Sequence, residues 1–250
     1  MGSVETAHRE SRSFLVVLSP TRAITAMIRR SPIQLASKKL KILCLGAHSD
    51  DIEIGCGGTI LRLLDARPGS HVVWVVLAAR GDRKSEAVRS ATAFLRAAGS
   101  KKIITKPFRE SYFPSEWEDI KDYFEELKAL IDPDLVFTHY RQDSHQDHRV
   151  VCELTWNTFR RHQILEYEIP KYDGDLGRPN IYLPLTDETA KAKVNLLMEA
   201  FSTQRSRQWF SEDTFYALLR LRGIEANSSA QYAEAYYGRK VVLDIGATIG

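Results

Sequence analysis

The sequence predicts an α/β fold with a mostly parallel sheet flanked by helices. Short apolar runs at 40–47, 71–78 and 135–138 have the composition of buried strands. Segments whose apolar residues recur at helical spacing, such as 83–98 and 116–131, alternate with these runs. Strands that alternate with helices of this length are typical of βαβ units, in which the strands are parallel.

The first half of the predicted domain contains three pairs of a strand and a helix. In chain order we expect a strand at 40–47, a helix at about 55–66, a strand at 71–78, a helix at 83–98, a strand at 101–105 and a helix at 116–131. Breaking residues separate them: Arg67-Pro68-Gly69-Ser70 ends the first helix, Gly99 closes the second, and Asp132-Pro133 follows the third.

The second half contains one clear strand and three helical patterns. We expect a strand at 135–138, a helix at about 146–161, extended pieces at 164–169 and 181–183, helices at 186–202 and about 212–222, and a strand-like segment at 240–245. Crossovers between parallel strands are expected to be right-handed.

The charge is unevenly distributed along the chain. The net charge is +3, but residues 1–38 hold six Lys/Arg against two Asp/Glu, and the rest holds 29 against 30. We therefore divide the chain into a basic N-terminal arm at 1–38 and one domain at 39–250. The arm is expected to be flexible or loosely packed, or alternatively to bind a membrane surface or a partner. Because the folded part lacks a basic excess, we expect no nucleic-acid partner.

Localisation is inferred from what the sequence lacks. No apolar run reaches the roughly 18 residues that suggest a membrane span, and no clear signal peptide is present. Cys44, Cys56 and Cys152 form no CxxC pair, which favours reduced thiols and a cytoplasmic protein.

Two polar clusters follow predicted strands about a hundred residues apart. The first is Ala47-His48-Ser49-Asp50-Asp51, after the strand at 40–47, and the second is His145-Gln146-Asp147-His148, after the strand at 135–138. Ligands of open α/β sheets bind at the carboxyl ends of the strands. We therefore expect both clusters to converge on one metal ion.

The residue types suit a catalytic metal. His48, Asp51 and His148 are the candidate ligands, because two imidazoles and a carboxylate suit Zn²⁺, and the same triad suits Fe²⁺. Asp50 is then the candidate general base, and Asp147 is expected to orient His145. Alternatively, Asp50 or Asp51 is the N-cap of the following helix, and a lone histidine near a strand end is an ordinary polar residue on the protein surface.

The two motifs resemble those of the PIG-L/LmbE-like N-acetylglucosaminyl deacetylases, which usually read Ala/Pro-His-Pro-Asp-Asp-Glu and His-Pro-Asp-His. Similarity spans roughly 40–240 and includes Tyr232-Ala233-Glu234-Ala235 near the end. The resemblance implies a Rossmann-like, LmbE-like three-layer fold and a metal-dependent, mostly zinc, hydrolysis of N-acetylated sugars or sugar conjugates. Relatives are often oligomeric, so a homo-oligomer is a further expectation.

The resemblance also implies roles for single residues. His48, Asp51 and His148 match the family's metal ligands, and Asp50 matches its general base. His145 matches the histidine that stabilises the oxyanion, Asp147 its supporting carboxylate, and Arg83 an arginine that holds substrate hydroxyls. An exposed charge at a helix start is the alternative for Arg83.

The sequence departs from the family pattern at several positions. Ser49 and Gln146 replace prolines, Ile52 replaces the usual glutamate, and Glu53 follows one position later. The segment 108–112 lacks the Asp-Gly pair common there, which leaves the sugar unassigned. Two rivals remain: another amide or ester hydrolase on the same metal site, and a non-catalytic nucleotide- or sugar-binding module.

Overall fold

Seven β-strands form one sheet in this computed structural model, which describes Met1 and residues 39–241. The strands are β1 (Lys41–Gly46), β2 (His71–Val76), β3 (Ser100–Thr105), β4 (Leu135–His139), β5 (Gln163–Tyr167), β6 (Ile181–Leu185) and β7 (Tyr232–Tyr237). Their order across the sheet is β3-β2-β1-β4-β5-β7-β6. The first five strands are mutually parallel, and β7 is antiparallel to both β5 and β6.

Helices connect the strands and cover both faces of the sheet. They are α1 (Asp51–Ala66), α2 (Gly81–Phe94), α3 (Trp117–Leu130), α4 (Gln146–Thr158), α5 (Asp187–Ala200) and α6 (Glu212–Ala226). One apolar core includes residues of α1, α2, α5 and α6, and a second includes residues of α3 and α4. Strand β1 serves both cores: Ile42 and Cys44 belong to the first, and Leu43 and Leu45 to the second. This alternation follows from the two-residue period of a strand.

The strand order creates a place for a ligand. The chain moves outward from β1 to β2 and β3, then returns to pair β4 with the other side of β1. Outside the carboxyl ends of β1 and β4 the connections therefore diverge, which is where open α/β sheets bind ligands. Both polar clusters follow these two strands.

The predicted fold class is confirmed: the sheet is mostly parallel, mixed at one edge, and flanked by helices. Helix α1 begins earlier than predicted, at Asp51 instead of residue 55. The glycines near its start weaken the helical pattern in the sequence, but they are needed for close packing. A Cβ on Gly55 would lie 2.1 Å from Tyr167 Cδ2, and one on Gly57 would lie 2.6 Å from Phe94 Cε1. Packing therefore overrides the low helix propensity of glycine.

The C-terminal strand also differs from the prediction. It is β7, formed by the tyrosine- and alanine-rich segment, which gains backbone partners on both sides from β5 and β6. Lys240 and Val241 form no strand, and the rest of the predicted strand at 240–245 lies outside the described residues. The predicted arm at 1–38 also falls outside them, except for Met1.

Two further expectations concern membrane-spanning helices and the state of the cysteines. Among these residues, no helix is long and apolar enough to cross a membrane. Cys44, Cys56 and Cys152 are buried and free, as expected for thiols that fill core space.

Candidate active site

Two turns bring the site residues together. The backbone leaves β1 at Gly46 and enters α1 at Asp51, with Asp50 at the N-cap position. In the second turn His145 is the N-cap of α4, so His148 lies in the first turn of that helix. Because β1 and β4 are adjacent and parallel, the two turns lie at the same edge of the sheet.

Three donor groups converge on one point between these turns. His48 Nδ1 lies 3.2 Å from His148 Nε2 and 3.3 Å from Asp51 Oδ2, and His148 Nε2 lies 3.5 Å from Asp51 Oδ1. Ligands about 2.1 Å from a tetrahedral zinc ion lie about 3.4 Å apart. The three residues that the sequence nominated as ligands therefore have the spacing of a metal-binding triad.

Carboxylates behind the two histidines fix their tautomers. His48 Nε2 lies 3.0 Å from Asp147 Oδ2, and His148 Nδ1 lies 2.9 Å from Asp143 Oδ2. An ionised carboxylate only accepts hydrogen bonds, so each imidazole donates from that nitrogen. In the neutral form of each ring, the opposite nitrogens, His48 Nδ1 and His148 Nε2, present lone pairs to the point of convergence. Carboxylate-oriented histidines of this kind are typical of metal sites.

The electrostatics of the site favour a cation. Burial disfavours the charged form of His48, but the carboxylates of Asp51 and Asp147 outweigh it and raise its pKa to about 10. Burial would raise the pKa of Asp51, but the neighbouring imidazoles of His148, His139 and His48 hold it well below its usual range. Facing lone pairs and a buried carboxylate are a donor set that a divalent metal ion fits.

Asp50 is buried beside this triad and differs from Asp51 in its contacts. Its Oδ2 atom has no hydrogen-bond partner among the described residues, and Oδ1 lies 3.8 Å from Arg83 Nη2. Burial and the adjacent Asp51 carboxylate raise the pKa of Asp50 to about 6. A carboxylate with a raised pKa and an unpaired oxygen is suited to accept a proton.

His145 completes the polar wall of the site. Its ring stacks on that of His148, with centroids 4.6 Å apart, and meets His48 edge-on at 4.8 Å. Its Nδ1 accepts the backbone N–H of Asp147, so the neutral ring carries its proton on Nε2. Burial and the two neighbouring imidazoles lower the pKa of His145. It is therefore a neutral N–H donor near neutral pH.

Asp147 has a different partner from the one expected. Its carboxylate does not contact the His145 ring but accepts from His48 and from the backbone N–H groups of Ser111 and Phe113, at 2.6 and 3.1 Å. The reason is geometric, because Asp147 is buried in the first turn of α4 whereas His145 precedes the helix. Asp147 thus orients a candidate ligand and anchors the loop at 108–116.

Arg83 lies at the rim of the site. It is the third residue of α2 and forms an ion pair with Glu110, while its other terminal nitrogen faces Asp50. Glu53, which follows the first motif, is completely buried, and burial raises its pKa well above the ordinary value.

Two residues of the site were not predicted from the sequence. His139, the last residue of β4, is fully buried; its Nε2 accepts the Ala47 backbone N–H and lies 3.2 Å from Asp51 Oδ2. Burial and His148 lower its pKa to about 4, so it is neutral. Asp143 supports His148 and accepts the His145 backbone N–H. Only their positions in the sequence could have indicated that they belong to the site: His139 lies at the end of a strand, and Asp143 lies two residues before His145.

Comparison with known proteins identifies similar sequences. Residues 43–159 match the family model described as PIG-L, GlcNAc-PI de-N-acetylase. The chain is 33% identical over 148 residues to the uncharacterized deacetylase YaiS of Escherichia coli strain K12, covering 54% of this chain and 77% of that relative.

Solved structures share the fold at lower identity. The zinc-inhibited form of teicoplanin deacetylase Orf2 has a TM-score of 0.62 and 15% identity, covering 79% of this chain and 97% of that one. The N,N'-diacetylchitobiose deacetylase of Pyrococcus horikoshii has a TM-score of 0.54 and 22% identity, covering 78% and 82%. At these identities the similarity establishes the architecture alone.

Proposed function

Because the chain belongs to the PIG-L family of GlcNAc-PI de-N-acetylases, we propose that it hydrolyses the N-acetyl group of an amino sugar or sugar conjugate in a metal-dependent reaction. The observation that carries this proposal is the convergence of His48 Nδ1, Asp51 and His148 Nε2 within 3.2–3.5 Å of one another. The products are acetate and a free amine.

His48, Asp51 and His148 would hold the metal, with Zn²⁺ or Fe²⁺ as the candidates for this donor set. When bound, the ion supplies Lewis acidity, which lowers the pKa of water and polarises an acetamide carbonyl. Asp147 and Asp143 accept from His48 Nε2 and His148 Nδ1 and so aim the ligand nitrogens of both rings at the ion. The raised pKa of His48 means that metal binding would displace a proton from its Nδ1.

Asp50 and His145 would move the protons of the reaction. Asp50 Oδ2 accepts a proton from the attacking water, and the burial that raises its pKa also makes it a stronger base. The Nε2–H of His145 donates to the oxygen of the tetrahedral intermediate, where electrostatic stabilisation is usually largest. The proton held on Asp50 then passes to the leaving amine, because the neutral ring of His145 is too weak an acid to give up its proton.

The substrate enters past Arg83 and Glu110. Their side chains are partly exposed and paired at the rim of the site, beside Asp50. A guanidinium donates hydrogen bonds and a carboxylate accepts them, so the pair can bind two hydroxyl groups of one sugar ring. This chemistry supports Arg83 as a substrate-binding residue.

Two rival functions make different predictions. A different amide or ester hydrolase would use the same metal site and is separated by the product it releases. A nucleotide-binding module is disfavoured because Gly55, Gly57 and Gly58 lie inside α1, in contact with core side chains, instead of forming a phosphate loop.

Metal content and acetate release test the proposal. We expect about one equivalent of Zn or Fe per chain, and acetate release from members of a panel of N-acetylated sugars that stops with chelator and returns with metal. A metal-bound protein that releases a different acid or alcohol would support the rival hydrolase. No bound metal, even after reconstitution, would refute the proposal.

A further inference from the structure

A buried ion pair contacts the backbone of α1. Lys193 of α5 and Glu234 of β7 are each 3% exposed, and Lys193 Nζ lies 2.6 Å from Glu234 Oε1. Lys193 Nζ also donates to the Ile54 carbonyl at 2.6 Å. Glu234 accepts the backbone N–H groups of Gly58 and Thr59, at 2.8 and 2.6 Å. We call this pair the α1 clip.

The clip binds groups that a helix normally satisfies by itself. In a regular α-helix the N–H of Gly58 donates to the carbonyl of Ile54, four residues earlier. Here the N–H donates to Glu234 and the carbonyl accepts from Lys193, so the ion pair spans both ends of one turn. The close approach requires Gly58, because a Cβ there would lie 3.1 Å from Glu234 Oε1 and 2.6 Å from Leu185 Cδ1.

One residue connects the clip to the active site. The backbone N–H of Ile54 donates to the Asp50 carbonyl at 3.1 Å, and its carbonyl is the group that Lys193 holds. Asp50 and Asp51 therefore lie on the turn whose Ile54 carbonyl Lys193 holds. The orientation of that turn affects the direction of the Asp51 carboxylate toward His48 and His148 and the placement of the Asp50 carboxylate facing Arg83.

Stability alone does not account for a buried pair of this kind. Removing two charges from water is costly, and well-packed apolar residues often replace such pairs without loss of stability. The Tyr232-Ala233-Glu234-Ala235 segment, which the sequence analysis singled out, contributes no side chain to the metal site. We propose that Lys193 and Glu234 are positioning residues, which orient the first turn of α1 and thereby the metal ligand Asp51 and the base Asp50.

The decisive variant is Lys193→Met with Glu234→Leu, which removes both charges and leaves the α1 backbone able to form its regular hydrogen bonds. Its matched control is Arg222→Met with Glu168→Leu, an equally buried pair between α6 and the end of β5 that is not bonded to α1. Hydrogen exchange of the metal-free proteins, measured on the peptide covering residues 48–58, reports the first turn directly.

We expect faster exchange of this peptide in the clip variant than in the control variant, with other peptides of α1 changed less. Zinc affinity, measured by competition with a chelating dye, should fall about 10- to 100-fold, as for other groups that orient ligands. The control should retain both properties. Unchanged exchange and zinc affinity in the folded clip variant would overturn the proposal.

This inference rests on the proposed metal site, and two further measurements make its failure distinguishable from a failure of the proposed function. If the clip variant does not fold, Lys193→Met with Glu234→Gln keeps one acceptor for the helix and should show a smaller change in the same direction; no change overturns the proposal. If the wild-type protein binds zinc but releases no acetate, the deacetylase assignment fails, whereas exchange and affinity still decide the role of the clip.

Discussion

Among single residues, Asp50 is the one whose substitution should impair proton transfer without impairing metal binding. Its carboxylate contributes no atom to the triad, and its Oδ2 atom is the unpaired one. Asp50→Asn preserves size but cannot accept a proton, so we expect acetate release to fall about 10²- to 10⁴-fold with metal content unchanged. Activity assays paired with elemental analysis check this. Turnover near wild type would exclude Asp50 as the base, and loss of metal would make it a ligand.

Asp147 and Asp143 act on opposite ligands of the triad. Because Asp147 orients His48 and Asp143 orients His148, each change to asparagine should weaken zinc affinity about 10- to 100-fold. Dye competition measures this, and Asp132→Asn, which alters an exposed aspartate–histidine pair, is the control. An Asp147→Asn variant with wild-type affinity but reduced turnover would instead favour our original expectation that Asp147 supports His145.

The residues that could be predicted are those whose chemistry is local. His48, Asp50 and Asp51 stand together in sequence after an evident strand, and His145, Asp147 and His148 do likewise. His139 could not be distinguished from an ordinary strand end, because its role depends on the facing backbone of Ala47. The partner of Asp147 could not be predicted either, since it depends on how α4 meets the turn after β1.

At the scale of one element, α1 illustrates packing that opposes propensity. Alanine is favoured over glycine in a helix by about 1 kcal/mol. At Gly55, however, a Cβ would lie 2.1 Å from the fully buried Tyr167 ring. We expect Gly55→Ala to destabilise the protein by about 1–3 kcal/mol, as overpacking does. Denaturant unfolding measures the change.

A second alanine substitution in a helix is the control for Gly55→Ala. Asp122 lies on an exposed position of α3, so Asp122→Ala should change the free energy of unfolding by less than about 0.5 kcal/mol. A Gly55→Ala protein as stable as wild type would mean that Tyr167 moves aside at little cost.

At the scale of the whole molecule, the parallel strands could be predicted from the sequence, whereas the antiparallel edge of the sheet could not. The parallel part follows from repeated βα units, because each crossover places neighbouring strands in the same direction. The antiparallel insertion of β7 between β5 and β6 joins segments far apart in the chain and has no local signal. The α1 clip depends on this insertion, since Glu234 lies on β7.

The metal site likewise exists only in the folded chain, because its ligands come from turns about a hundred residues apart. A ligand that binds the folded state alone stabilises it, by about 2.7 kcal/mol when its free concentration is 100 times Kd. For a domain of about 200 residues this raises Tm by roughly 5–10 °C. We therefore expect zinc to raise Tm by this amount in thermal unfolding, and chelator to reverse the rise.

Substitution of a ligand assigns this stabilisation to the proposed site. His148→Ala removes one of the three converging donors, so the rise in Tm with zinc should be largely lost. His162→Ala removes a half-buried histidine that pairs with Asp132 beyond the C-terminal end of α4, and this variant should retain the rise. An equal rise in wild type and His148→Ala would mean that zinc binds elsewhere on the folded protein, because a site built on the convergence of β1 and β4 cannot lose a ligand without losing affinity.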